Sequence, residues 1–182
     1  SWIVTPTTSS TSCGVAGDDL RTETPKVGRA GSFDMYEGVH AYPDGRSTAA
    51  RLAKTAAAYG YEGVVIRNHG DALAEYEPER IAERYGIDVV PGIEIRADDP
   101  SRASGLVGNY RSKRTVVCVH GGPLNRFAVE QSAVDVLAHP MRDGDVNHVL
   151  AKTAAENDVH LEFNFARVFR SDGGARVRAI QG

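Results

Sequence analysis

The chain has 182 residues, 41% apolar and 25% charged, with a formal net charge of −3. That is the size and balance of one globular domain able to bury its own core. The acidic sign excludes a strongly basic, free-standing nucleic-acid binder, so any RNA contact must use a local Arg/Lys patch or partner proteins. No run approaches the roughly 18 apolar residues of a membrane span, and no basic segment followed by an apolar block marks a secretory leader. Cys13 and Cys118 are the only cysteines. They argue against a disulfide scaffold and for a reducing cytoplasm.

Residues 1–34 are rich in Ser, Thr, Gly and Pro and have no sustained periodicity. They read as a disordered extension, with Met35 as the expected natural start of a domain over 35–182. A strand is expected at about 36–41. It leads into a helix capped by Ser47, with Ala49, Leu52, Ala53 and Ala56 on one face and Gly60 at its end. A second strand at about 62–67 precedes a short helix from Pro78, with Ile81 and Tyr85 inward and Gly86 closing it. The third strand covers about 88–96. "DDPSRASGLVGNYRSK" is polar and Gly-broken and reads as a long loop with one helical turn after Pro100. A fourth strand at about 115–120 is followed by the short segment "LNRFAVEQ", then by a fifth strand at about 134–138. A helix over about 145–157, with Val146, Val149, Leu150 and Ala154 on one face, leads to a sixth strand at about 159–165.

Repeated strand–helix alternation implies a parallel sheet. A complete (β/α)8 barrel needs about 250 residues. The expectation is therefore a parallel (βα) TIM-barrel-like α/β fold with about six of eight units present. Its sixth strand would then carry an unpaired edge.

One polar residue stands at the end of each of five apolar runs: His40, His69, Glu94, His120 and His139. They are spaced 19 to 29 residues apart, about one strand plus one helix. Parallel strands would gather all five at one face, where such folds carry their sites. Imidazoles and a carboxylate suit Zn²⁺, Mn²⁺ or Fe²⁺. An ion there could acidify a water and direct it at a phosphoester. Residue alternation also makes Glu94 share a face with Arg96, Cys118 with His120, and Glu162 with Asn164. The paired glycines in "CVHGGP" and "DGGAR" lack the strand and helix context of a nucleotide-binding loop.

The series "VHAYPDG", "VIRNHGD", "GIEIRAD", "CVHGG" and "VLAHPM" resembles the PHP superfamily of metal-dependent phosphoesterases. Three departures stand out: Tyr42 replaces the second His of the opening motif, Asn68 stands where that family has Asp, and its last Asp-x-His motif has no counterpart before Gly182. "VDVLAHPM…GDVNHVLAKTAAENDVHLEFNFARVFRS", together with "MYEGVHAYPDG", is similar to the archaeal ribonuclease P protein component 3 family, which is related to the PHP proteins. The retained histidines point to its haloarchaeal branch. The resemblance covers essentially all of 35–182. It implies a PHP-like subunit of a ribonucleoprotein that removes the 5′ leader from precursor tRNA. The RNA subunit, with Mg²⁺, would do the chemistry, and other protein subunits would be partners. Under that reading Arg67, Arg96, His148, Lys152, Arg167 and Arg170 are the candidates for phosphate contacts. The rival readings are a stand-alone PHP-type phosphoesterase, with His40, Glu94, His120 and His139 on metal, and a scaffold that binds neither metal nor RNA.

Overall fold

A computed structural model describes residues 2–4, 36–141 and 146–163. Its centre is a barrel of seven strands in sequential order: β1 (Trp2–Val4), β2 (Tyr36–Val39), β3 (Gly63–Ile66), β4 (Asp88–Ile95), β5 (Val116–His120), β6 (Val136–Ala138) and β7 (His160–Phe163). Neighbours from β2 to β7 pair in parallel. These six are an incomplete version of the eight-unit (βα) barrel. Their outer edges do not stay open. β1 pairs antiparallel with both β2 and β7, with Trp2 opposite Glu37 and Phe163, so the backbone groups expected to be bare on the last strand are bonded. Three residues of the segment expected to lack structure thus close the sheet.

Among the described residues five helices occupy the crossovers: α1 (Ala49–Ala58), α2 (Pro78–Tyr85), α3 (Pro100–Arg111), α4 (Asn125–Glu130) and α5 (His148–Glu156). Strand alternation sorts the side chains into two faces. Val64, Ile66 and Val89 pack under α1 and α2. Ile93, Ile95, Val117, Val119, Leu137 and Leu161 pack under α3, α4 and α5. Their alternates Val65, Val116, Cys118, Val136 and Ala138 fill the barrel interior with Tyr36 and Val90.

Three local expectations are corrected. Thr48, not Ser47, caps α1, its hydroxyl accepting from the Arg51 N–H at 3.3 Å. The segment read as a loop is the twelve-residue α3. Asp99 caps it through the Arg102 N–H at 2.9 Å, and Pro100 fits the first turn, where no N–H is needed. Gly105 and Gly108 each cost about 1 kcal/mol of helix propensity. Burial of Ala103 and Val107 offsets them. In α5, Leu150, Ala151 and Ala154 face the core, whereas Val149 is 58% exposed. Val149 sits one residue before Leu150, about 100° round the helix.

Arg111 at the end of α3 locks that helix to the barrel. Its guanidinium donates to Asp135 Oδ2 at 2.5 Å, to the Thr115 carbonyl at 2.5 Å and to the Ala133 carbonyl at 3.3 Å. The same Asp135 oxygen accepts from the Val117 N–H at 2.7 Å. Asp135→Ala therefore strands a buried N–H and part of a guanidinium, at about 2–4 kcal/mol. The expected result is a Tm roughly 5–10 °C lower by calorimetry. Asp135→Asn, which keeps an acceptor for Val117, should lose clearly less.

Candidate metal centre

At the C-terminal ends of the strands a polar cluster is built around Arg67. The residue follows β3, is 2% exposed and reaches across the barrel interior. Nη1 donates to Glu94 Oε2 at 2.8 Å and Nη2 to Glu162 Oε1 at 2.7 Å. Both carboxylates are almost fully buried. Such burial of charge is tolerated only with close, hydrogen-bonded partners. A glycine makes room: a Cβ on Gly38 would lie 2.7 Å from Arg67 Nε. This corrects the expectation that Arg67 meets RNA, because it is enclosed and its guanidinium is committed to two carboxylates.

Glu94 is the hub. His120 Nδ1 lies 2.5 Å from Oε1, His40 Nε2 3.2 Å from Oε2, His69 Nε2 3.5 Å from Oε1 and His139 Nε2 3.9 Å from Oε1. All five residues anticipated from the strand ends meet. The rings of His40 and His69 stack at 4.9 Å, and those of His120 and His139 meet at 5.1 Å. Burial opposes the charge on Glu94, but the Arg67 guanidinium and the His120, His40 and His69 imidazoles hold its carboxyl well below the usual range. Burial also depresses His139. His139 sits at φ 52°, in the left-handed region, which stores strain of about 1–2 kcal/mol at the site. Cys118 lies deep in the barrel, where burial pushes its thiol far up and leaves it inert.

Two participants escaped the sequence reading. Glu162 was noted only as sharing a face with Asn164; here it is the second anchor of Arg67, 3.6 Å from His139 Nδ1. Asp44 was not singled out at all. The turn after His40 is closed by Tyr42 N–H to Ser47 O at 2.7 Å and Gly45 N–H to Ala41 O at 2.8 Å, and it brings Asp44 back over the site. Its Oδ2 lies 2.6 Å from His40 Nδ1 and 2.7 Å from His69 Nδ1, and it accepts from the His69 N–H at 3.0 Å. Burial opposes its charge, but those three bonds hold its carboxyl below the ordinary value. The sequence signal was the "PDG" turn, four residues after a strand-end histidine.

Two sets of three ligand atoms lie within 4.8 Å of one another: His40, His69 and Glu94, and Glu94, His120 and His139. The buried His69 Nε2 has no hydrogen-bond partner. A nitrogen so placed, with its other ring nitrogen held by a carboxylate, fits a divalent cation. Asn68, where the PHP-type pattern has Asp, is a strut. It is 1% exposed, accepts from the Ala41 N–H at 2.7 Å and donates to the Ala41 and Ala72 carbonyls at 2.7 Å each.

Of the remaining candidates, Arg96 is exposed just beyond β4; Glu94 and Asp44 raise the His69 imidazole above its ordinary value against burial, and Arg96 opposes them only in part. His148 and Lys152 are exposed on α5, and Lys152 pairs with Glu156 at 3.7 Å. Arg167 and Arg170 lie outside the described residues.

Comparison with known proteins bears on this arrangement. Residues 31–182 match the family described as RNase P subunit p30. The ribonuclease P protein component 3 of Natronomonas pharaonis is 72% identical over 148 residues, 81% of this chain and 63% of that protein. That of Haloarcula marismortui is 65% identical over 150 residues, 81% of this chain and 64% of that protein. A chain in a cryo-EM structure of archaeal ribonuclease P with mature tRNA shares the fold with a TM-score of 0.58 and 26% identity, over 80% of this chain and 64% of that one. The chain thus spans under two thirds of the length of these relatives.

The role of Asn68 yields a direct test. Asn68→Asp replaces an N–H₂ that serves two carbonyls with an acceptor, in a site closed to water. Stability should fall by about 2–4 kcal/mol, read from the denaturant midpoint. An unchanged midpoint would remove Asn68 from the architecture of the site.

Proposed function

The chain belongs to the RNase P subunit p30 family, and from that premise we propose that it serves as a protein subunit of ribonuclease P, supporting removal of the 5′ leader from precursor tRNA. The observation that carries this reading is the family match over 31–182, with 72% identity to a ribonuclease P protein component 3. Its partners are the RNase P RNA and other protein subunits, in the cytoplasm; no helix among the described residues is long and apolar enough to cross a membrane. The phosphodiester chemistry belongs to the RNA subunit and its Mg²⁺. In support, three of the four carboxylate oxygens of Glu94 and Glu162 are already engaged, and the fourth, Glu162 Oε2, is buried without a hydrogen-bond partner. Arg67 holds Glu94 Oε2 and Glu162 Oε1, and His120 holds Glu94 Oε1. A carboxylate so neutralised makes a poor general base.

The strand-end residues His40, His69, Glu94, His120 and His139 supply the ligands from which a divalent cation, Zn²⁺, Mn²⁺ or Fe²⁺, is held, as the PHP-like part of the same reading. When bound, such an ion supplies Lewis acidity and cross-links the strand ends. The two sets of ligand atoms within 4.8 Å keep a second reading in play, a metal-dependent phosphoesterase acting alone.

For RNA contact, exposed Arg96, His148 and Lys152 remain, joined by Arg167 and Arg170 on sequence grounds. α5 starts at the barrel end that carries the polar cluster, since it follows the C-terminal end of β6. Its His148 and Lys152 therefore lie on the side of the molecule where Arg96 emerges.

Reconstitution decides between the readings. Precursor-tRNA cleavage by the cognate RNA and protein subunits should rise when this chain is added, and the chain alone should be inert on generic phosphoesters with Mn²⁺ or Zn²⁺. Activity alone on phosphoesters, with no effect on tRNA cleavage, reverses the assignment. A second expected outcome concerns Arg96: Arg96→Ala should weaken binding to the RNA subunit evenly across sequences. It should also flatten the salt dependence of log K by about one unit, measured by filter binding between low and moderate salt.

A further inference from the structure

We propose that the cluster takes a single divalent cation, held by His40, His69 and Glu94, and that Arg67 is a built-in cation standing where a second ion would need its carboxylate oxygens. This rests on the metal-binding reading above.

The tautomers are set by Asp44. Its Oδ2 lies 2.6 Å from His40 Nδ1 and 2.7 Å from His69 Nδ1. An ionised carboxylate only accepts, so both Nδ1 atoms carry the proton. In neutral rings both Nε2 atoms are then bare lone pairs. They converge on Glu94 at 3.2 Å and 3.5 Å. Lone pairs facing a carboxylate repel unless a proton or a metal cation lies between them, and one divalent cation meets all three groups at once. The unpartnered, buried His69 Nε2 marks the place. Asp44 is the outer carboxylate that orients two imidazole ligands at once.

The other side of Glu94 is different. His120 Nδ1 already lies at hydrogen-bond distance from Oε1, 2.5 Å. Arg67 takes Glu94 Oε2 and Glu162 Oε1 at 2.8 Å and 2.7 Å. An ion among Glu94, His120 and His139 would have to displace the first contact and sit beside a fixed guanidinium. Charge gives the same count. The cluster holds three carboxylates, Asp44, Glu94 and Glu162, and one buried guanidinium, Arg67, a net −2 with neutral rings that one dication balances. Arg96 at the rim is exposed and screened by water, so it alters this balance little.

The test is a Mn²⁺ titration of the metal-stripped full chain by calorimetry, with electron paramagnetic resonance of the loaded protein. One Mn²⁺ per chain and an uncoupled six-line spectrum are expected. Two or three ions, or a spin-coupled spectrum, overturn the single-ion inference while leaving metal binding itself intact. No bound Mn²⁺ overturns both, and the tRNA-processing assignment is unaffected by either result. Asp44→Asn should weaken Mn²⁺ about tenfold to a hundredfold with the stoichiometry still one; unchanged affinity removes Asp44 from the site. Arg67→Met, purified with Mn²⁺ to neutralise its two buried carboxylates, should take up a second ion. If it instead folds with one ion, Arg67 is not what limits the count. Should Arg67→Met fail to fold, the wild-type stoichiometry and the Asp44→Asn affinity still decide the matter.

Discussion

The ion triad Glu94–Arg67–Glu162 is the constraint on which the rest of the site depends. A guanidinium in a barrel interior is tolerable only if its donors meet acceptors, and two of them meet carboxylates drawn from β4 and β7. The contact spans 95 residues of sequence, so it forms only when the barrel is closed. It also fixes the hub. Glu94 is 0% exposed, and with Oε2 held by Arg67 its Oε1 is left facing His69, His120 and His139. Three of the four histidines thus meet the oxygen that Arg67 leaves, and His40 shares Oε2 with the guanidinium.

The fold prepares that burial in two ways. Side-chain alternation hands the outer face of every parallel strand to the helices, so polar groups can be spent on the inside. Small residues then open the interior. Gly38 leaves the space that the Arg67 side chain crosses, and Ala138 and Val136 line the opposite wall. Below this polar layer Val65, Val116 and Cys118 make much of the interior apolar, which limits water on the buried side of the triad. Closure by Trp2–Val4 completes the circle that six parallel strands leave open.

Much of this was legible in the chain, for a physical reason. Strand ends in a parallel barrel recur at one strand-plus-helix interval, so His40, His69, Glu94, His120 and His139 announce a shared face through spacing alone. What was not legible depended on partners distant in sequence. Arg67 and Arg96 both follow apolar runs and look alike as letters. One is sealed by Glu94 and Glu162, while the other meets solvent. Asp44 is a turn residue whose role exists only once His69 lies above it. α3 was hidden by Gly105 and Gly108, although its start at Asp99-Pro100 carried ordinary capping chemistry. Trp2–Val4 has no local periodicity to betray a strand, because its pairing is supplied by the edges of β2 and β7.

On the proposed reading the cluster lies beside RNA, and its charge bears on that. Asp44, Glu94 and Glu162 gather three carboxylates at one end of a chain of net −3, a field that opposes phosphates. Arg67 removes part of that charge from within, at no cost in exposed surface, and a bound dication would remove the remainder. With both cations in place that end of the barrel would carry little net charge, so the RNA contacts proposed at the exposed Arg96, His148 and Lys152 would not have to work against it. A hydrolytic site has the opposite need: a carboxylate with a free oxygen and an ion with open positions. Both oxygens of Glu94 are already bonded, which leaves Glu162 Oε2 as the one oxygen of these two buried carboxylates without a hydrogen-bond partner, and it is closed to water.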